Sequence, residues 1–150
     1  MTLLETAGEN RLQREQYCDL LQESVRELLR RVDQEKGGLS DYALLAYLEL
    51  EAYAQTGKPY YREAACRVLG DILGEWSRSE WNGVTAAVLA KADRVLGELK
   101  YLRAAQEAGA LLRSRLMAGE DRADVWAFTC WALLELYETD FDFISSLAYL

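Results

Sequence analysis

The sequence predicts an all-α protein of stacked αα-hairpins, and three observations carry that prediction. One proline, Pro59, stands in 150 residues rich in Ala, Leu, Glu and Arg, while β-branched residues are sparse, a composition that favours helix throughout. The predicted helices alternate between segments apolar on nearly every side and segments with one charged face. A pattern of Gly, Tyr and small residues also recurs at a shift of 40 positions.

The first helix is predicted over about Asn10–Asp33, after a flexible segment at residues 1–9. Tyr17, Leu21, Val25, Leu28 and Val32 recur at spacings of three and four and draw one stripe. Asn10 suits its N-cap, and Lys36-Gly37-Gly38 its stop. The second helix spans about Ser40–Gln55. Ser40 can cap it, Asp41 suits its positive end, and its ALLAYLEL centre is apolar almost all round. Gly57 ends it, and Pro59 opens a third helix that reaches about Ser77. Tyr61, Ala65, Val68, Ile72 and Trp76 form its inner stripe; Arg62, Glu63, Arg67, Asp71 and Glu75 form its outer one.

The fourth helix, about Asn82–Leu96, places small residues at Ala86, Ala87, Ala90 and Ala92, which lets a neighbour approach closely. The fifth, about Leu99–Met117, is striped again through Tyr101, Ala105, Ala108, Leu112 and Leu116, and Gly119 breaks the chain after it. The sixth, about Arg122–Glu138, reads VWAFTCWALLELY and is apolar nearly all round; a short seventh piece, Phe141–Leu150, follows. A helix apolar all round must be covered on all sides, and a striped one covers it from outside. Helices two, four and six therefore form an inner layer, and three and five an outer one. The repeat agrees: Gly57, Tyr61, Ala64 and Ala65 return as Gly97, Tyr101, Ala104 and Ala105, and Ala46 and Ala52 as Ala86 and Ala92.

The totals narrow the function. A formal charge of −8, from 17 basic and 25 acidic residues, disfavours nucleic acid and anionic lipid as partners. Arg26, Arg30 and Arg31 form a local basic spot that reads as a solvated helix end. The absence of histidine removes the commonest general base and metal ligand. Cys18, Cys66 and Cys130 are odd in number, lack CxxC spacing and lie in apolar helical surroundings, where buried thiols are the default. No apolar run reaches membrane-spanning length, and the first residues lack a signal-peptide pattern, so the expectation is one cytoplasmic helical domain over residues 1–150, with no metal and no cofactor.

Several blocks resemble the α/α-toroid region of the large thioredoxin-domain-containing proteins related to spermatogenesis-associated protein 20. These are Trp81-Asn82-Gly83, Val95-Leu96-Gly97, Tyr101-Leu102 with Ala104-Ala105, Trp126-Ala127-Phe128, Leu133 to Glu138, Phe141-Asp142, and the hairpin from Ala46 to Tyr61. The resemblance covers roughly Asp41 to Asp142. It implies an incomplete α/α toroid of about three hairpins plus an N-terminal helix, where the family's ring has six hairpins and is related to sugar epimerases and glycosidases. The thioredoxin-like domain is absent, the family's acidic-aromatic D-D-Y stands here as Asp124-Val125-Trp126, and its histidine-containing pocket segment has no counterpart. No activity is carried over.

In toroids of this kind the N-terminal ends of the inner helices line the pocket. Here those ends carry Asp41, Tyr42, Trp81, Asn82, Asp124 and Trp126. Aromatics with carboxylates and amides suit a sugar-like ligand, and two carboxylates can in principle form an acid/base pair. The same positions serve equally as helix caps and packing residues, which is the favoured reading. Glu49, Glu51 and Glu135 lie within apolar helices and either line a pocket or point at solvent or an arginine. An open stack leaves end helices without neighbours. The apolar Phe141, Phe143, Ile144, Leu147, Tyr149 and Leu150 are expected to be covered by a second copy or another subunit. The sequence thus favours a non-catalytic assembly protein, with a small-ligand-binding or vestigial carbohydrate-active protein as the alternative.

Overall fold

The computed structural model describes residues 3–35 and 38–139. Six α-helices run through them in chain order: α1 (Leu3–Glu35), α2 (Leu39–Thr56), α3 (Pro59–Gly74), α4 (Gly83–Leu96), α5 (Leu99–Met117) and α6 (Ala123–Thr139), with a 3₁₀ turn at Arg78–Glu80 before α4. The all-α expectation holds. None of the helices is long and apolar enough to cross a membrane. The expected seventh piece, and with it Phe141, Phe143, Ile144, Leu147, Tyr149 and Leu150, lies outside the described residues.

The largest boundary difference is at the start. Helix α1 begins at Leu3, so residues 3–9, expected as a flexible lead, are helical and Asn10 is an interior residue instead of a cap. Nothing after Leu3 breaks the helix: a lone Gly8 costs only about 1 kcal/mol relative to Ala. Ser40 is not a cap either. Gly38 holds the N-cap position of α2, and its N–H donates to the Asp41 carboxylate at 3.1 Å, so the carboxylate closes this end.

Helices α2, α4 and α6 form a row in which both flanking helices pack on α4. Helix α3 packs on α2 and α5 on α4, which makes the outer layer, and α1 packs against α2. The expected stripes explain this. On α3, Tyr61, Ala65 and Ile72 of the expected inner stripe are buried together with Leu69; Val68 and, just past the helix, Trp76 are half-buried; and Arg62, Glu63, Arg67, Asp71 and the following Glu75 are exposed. On α5, Tyr101, Ala105, Ala108 and Leu112 are buried. Leu21 and Val25 of α1 meet Leu45 and Ala52 of α2 and Tyr61 of α3 in a separate cluster.

The 40-residue repeat has a structural basis. Gly57 and Gly97 end α2 and α4 with φ of 68° and 70°, a left-handed conformation that suits glycine, and each N–H reaches back 2.8 Å to a carbonyl, of Tyr53 and Asp93. Tyr61 and Tyr101 then open the outer helices and are both buried.

Two expectations about burial fail. Helix α6 was expected to be covered on all sides, but only Thr129, Ala132, Glu135 and Leu136 are buried, and Trp126, Phe128, Leu134 and Tyr137 are exposed. It ends the row, with α4 and α5 against it and, among the described residues, no next inner helix on its other side. The thiols are not buried: Cys18 and Cys66 are half-buried, and Cys130 is exposed on the uncovered side of α6.

Candidate functional site

The N-terminal ends of α2, α4 and α6 meet at one cleft of about 340 Å³. Its lining includes Ser40, Asn82, Arg115, Arg122, Asp124 and Phe128. Of the six residues expected there, Asn82 and Asp124 line it; Asp41, Tyr42, Trp81 and Trp126 do not.

The Trp81-Asn82-Gly83 turn builds the cleft's centre, and each residue has its own task. Trp81 is 1 % exposed within the main core, with the Arg78 guanidinium 4.1 Å above its ring. Arg115 donates to the Trp81 carbonyl and, at 2.6 Å, to the Ser79 carbonyl, which ties α5 to this turn. Asn82 is the N-cap of α4: its Oδ1 accepts from the Thr85 N–H at 3.1 Å. Its Nδ2 donates to Ser40 Oγ at 2.8 Å and so joins the start of α4 to the start of α2. Gly83 is required for packing: a β-carbon there would lie 2.5 Å from the Phe128 backbone, so α4 and α6 touch main chain to main chain.

The remaining candidates are held by local partners. Asp124 is exposed and accepts from Arg122 at 2.6 Å, and that bond keeps its carboxyl below the usual range. Trp126 donates Nε1–H to the Glu120 carbonyl at 2.9 Å. Tyr42 is half-buried beside a smaller cleft against Asp71, Glu75 and Trp76 of the α3 end. Asn82, Asp124 and Arg115 are engaged in bonds to Thr85 and Ser40, to Arg122, and to the Trp81 and Ser79 carbonyls, so the cleft resembles a set of interlocked caps more than an array of free ligand-binding groups. Ser40 was read in the sequence only as a cap, Arg122 only as a helix start and Phe128 only as part of the Trp126-Ala127-Phe128 block, and Arg115 carried no signal there.

A second constellation lies further along the same three helices. Glu135 of α6 accepts from Tyr47 of α2 at 2.7 Å, from Trp131 at 3.2 Å and from Arg94 of α4. Arg94 also donates to the Glu135 carbonyl at 2.8 Å and to Thr139 at 2.9 Å. Lys91 of α4 donates to Glu51 of α2 at 2.5 Å, and its ammonium lies 4.5 Å from the Tyr47 ring. Glu51 accepts in addition from Tyr17 of α1 at 3.1 Å. Burial pushes Glu51 and Glu135 up, but the hydrogen bonds from Lys91 and from Arg94 with Tyr47 outweigh it and leave both below the ordinary carboxylate range. Burial, and then Glu135, raises the Tyr47 phenol. Among the described residues no group of three Cys, Asp or Glu is gathered as a metal site needs. No protein-family model, curated protein or solved structure matches the chain.

Proposed function

We propose that the chain is a non-catalytic helical-hairpin assembly protein that works as a homodimer or as a subunit of a larger complex. One observation carries this reading. Ala123, Ala127, Cys130, Leu134 and Tyr137 on α6 are all exposed and follow one another at spacings of four, three, four and three, with Trp126 beside them. That spacing is the seam of paired helices, in which a partner helix lies alongside at a shallow angle. The stripe carries no charge, and an apolar helix face of this length in water marks a contact surface. The resemblance of the WNG and LLELYE blocks to an α/α toroid belongs to the same reading: a short arc of hairpins whose end helix expects another beside it.

Light scattering after size exclusion, over micromolar concentrations, tests it. The expected outcome is a dimer or larger species that Leu134→Glu converts to a monomer of unchanged helical content. Leu147→Glu asks the same of the C-terminal segment. A wild-type monomer at every concentration, with the exposed face of α6 packed within its own chain, overturns the proposal. The second reading, a sugar-like ligand at the α2–α4–α6 cleft, is supported by the company of Asn82, Asp124 and Phe128 there. It requires saturable binding that Asp124→Asn removes while assembly persists.

A further inference from the structure

A different part of the molecule holds a buried carboxyl oxygen with no hydrogen-bond partner among the described residues. Helices α1 and α3 both lie against α2, and residues of all three line a cleft of about 220 Å³. Val25, Tyr61 and Glu49 are its buried part; Arg26, Leu29 and Tyr60 are its exposed part. Glu49 is 4 % exposed, and its Oε2 has no hydrogen-bond partner among the described residues. Tyr60 and Tyr61 stand side by side, ring centroids 4.2 Å apart.

We propose that this cleft binds a primary ammonium group on a short apolar stem, with Glu49 as its counter-ion and the Tyr60–Tyr61 pair against the stem. The chemistry of the lining selects this class. An ionised carboxylate can only accept hydrogen bonds, and a buried one without donors is costly, so the missing group is a donor, best a charged one. An ammonium offers three donors in a compact head, and tyrosine ring faces attract cations. The chain's charge of −8 draws cations towards it. At about 30 Å³ per water the cleft has room for about seven waters, which fits a small amine. Arg26 at the mouth opposes a second positive charge, so a monoamine is preferred to a diamine of equal length.

Burial holds the Glu49 carboxyl up at about 7, with Arg67 of α3 drawing it down in part. Arg26 from α1 and the tyrosines of α3, whose Tyr61 phenol burial raises to about 12, are the other ionisable groups lining the cleft. An alkylammonium keeps its proton throughout this range, so only Glu49 changes charge, and binding must strengthen as pH rises through the Glu49 value.

The test is a calorimetric or NMR titration of the whole chain with n-butylammonium chloride, and in a parallel arm with N-acetyl-lysine amide. The two arms separate a free amine from a lysine side chain of another protein. Expected is saturable binding at about pH 8 that falls about tenfold at about pH 5.5 and about tenfold in Glu49→Gln, as loss of a charge-assisted hydrogen bond implies. Uncharged n-butanol should not compete. Arg26→Glu should tighten binding about threefold by removing a repelling charge, a gain that misfolding cannot imitate. No saturable binding of either amine, or equal binding by Glu49→Gln, or equal binding of n-butanol, overturns the proposal.

Discussion

Helices α4 and α6 lie side by side, and both are rich in apolar and small residues, yet water treats them differently. Every residue of α4 from Gly83 to Ala92 is buried, while α6 buries only four and leaves Leu134 65 % exposed. Position in the row explains the contrast. Helix α4 has α2 on one flank, α6 on the other and α5 behind it, whereas among the described residues α6 packs on α4 and α5 along one side and meets α2 through Tyr47. An apolar surface in a stack is a request for a neighbour, and only an interior position guarantees that one answers. The exposed heptad-like stripe of α6 is therefore the informative surface here, and the buried Ala-rich surface of α4 is architecture.

The contrast can be broken most severely where the two helices weld. Gly83→Val puts a branched side chain onto the Phe128 backbone, and α4 and α6 must separate; the expected loss exceeds about 3 kcal/mol, near the whole stability of a marginal domain. Thermal unfolding read by circular dichroism checks it, and a variant as stable as wild type would show that the main-chain contact is not made. Next comes the polar weld. Glu135→Ala leaves Tyr47 without its acceptor and Arg94 with the exposed Glu138 as its remaining carboxylate, a loss of about 1.5–3 kcal/mol. Urea unfolding should also show that Glu135→Ala and Arg94→Ala are far from additive, because each alone destroys the same network.

A third variant pair measures the contrast directly. Leu89→Ala, in the closed interior of α4, should cost about 2–5 kcal/mol through the cavity it leaves. Leu134→Ala, at the same kind of residue on open α6, should change monomer stability by no more than about 0.5 kcal/mol. Comparable losses would mean that α6 is covered in solution by its own chain.

Carboxyls sharpen the same lesson in a smaller effect. Glu135 is buried with donors and stays low; Glu49 is buried without them and rises to about 7. For a carboxyl raised above its unfolded value of 4.5, the folded state binds the extra proton, so stability falls as pH climbs from about 4.5 to about 7 and then levels. The drop attributable to Glu49 is on the order of 3 kcal/mol at most. Glu49→Gln should flatten that part of the curve, and an unchanged slope would show that Glu49 is hydrated.

Much of the fold was legible because helices are written locally. The left-handed turns at Gly57 and Gly97, the Pro59 start, the Asn82 cap and the stripes of α3 and α5 are set by residues within one or two turns of each other. The candidate site was less legible. Asn82 was readable as a cap, but its bond to Ser40 crosses 42 positions, and the tie between Arg115 and the Trp81 carbonyl crosses 34. Glu49, Glu51 and Glu135 look alike in sequence, and no local rule assigns the first to a cleft between α1 and α3, the second to Lys91 and the third to Arg94.

The amino-acid order alone determined where α4 and α5 begin and end, which faces of α3 and α5 are oily and which hairpins repeat, since each depends on hydrogen bonds and contacts between near neighbours in the chain. The tertiary arrangement decided which glutamate is neutralised, why position 83 must lack a side chain, and that the most apolar helix stands half in water. Those outcomes depend on what distant segment arrives alongside, and a periodic pattern records the demand for a partner without naming it.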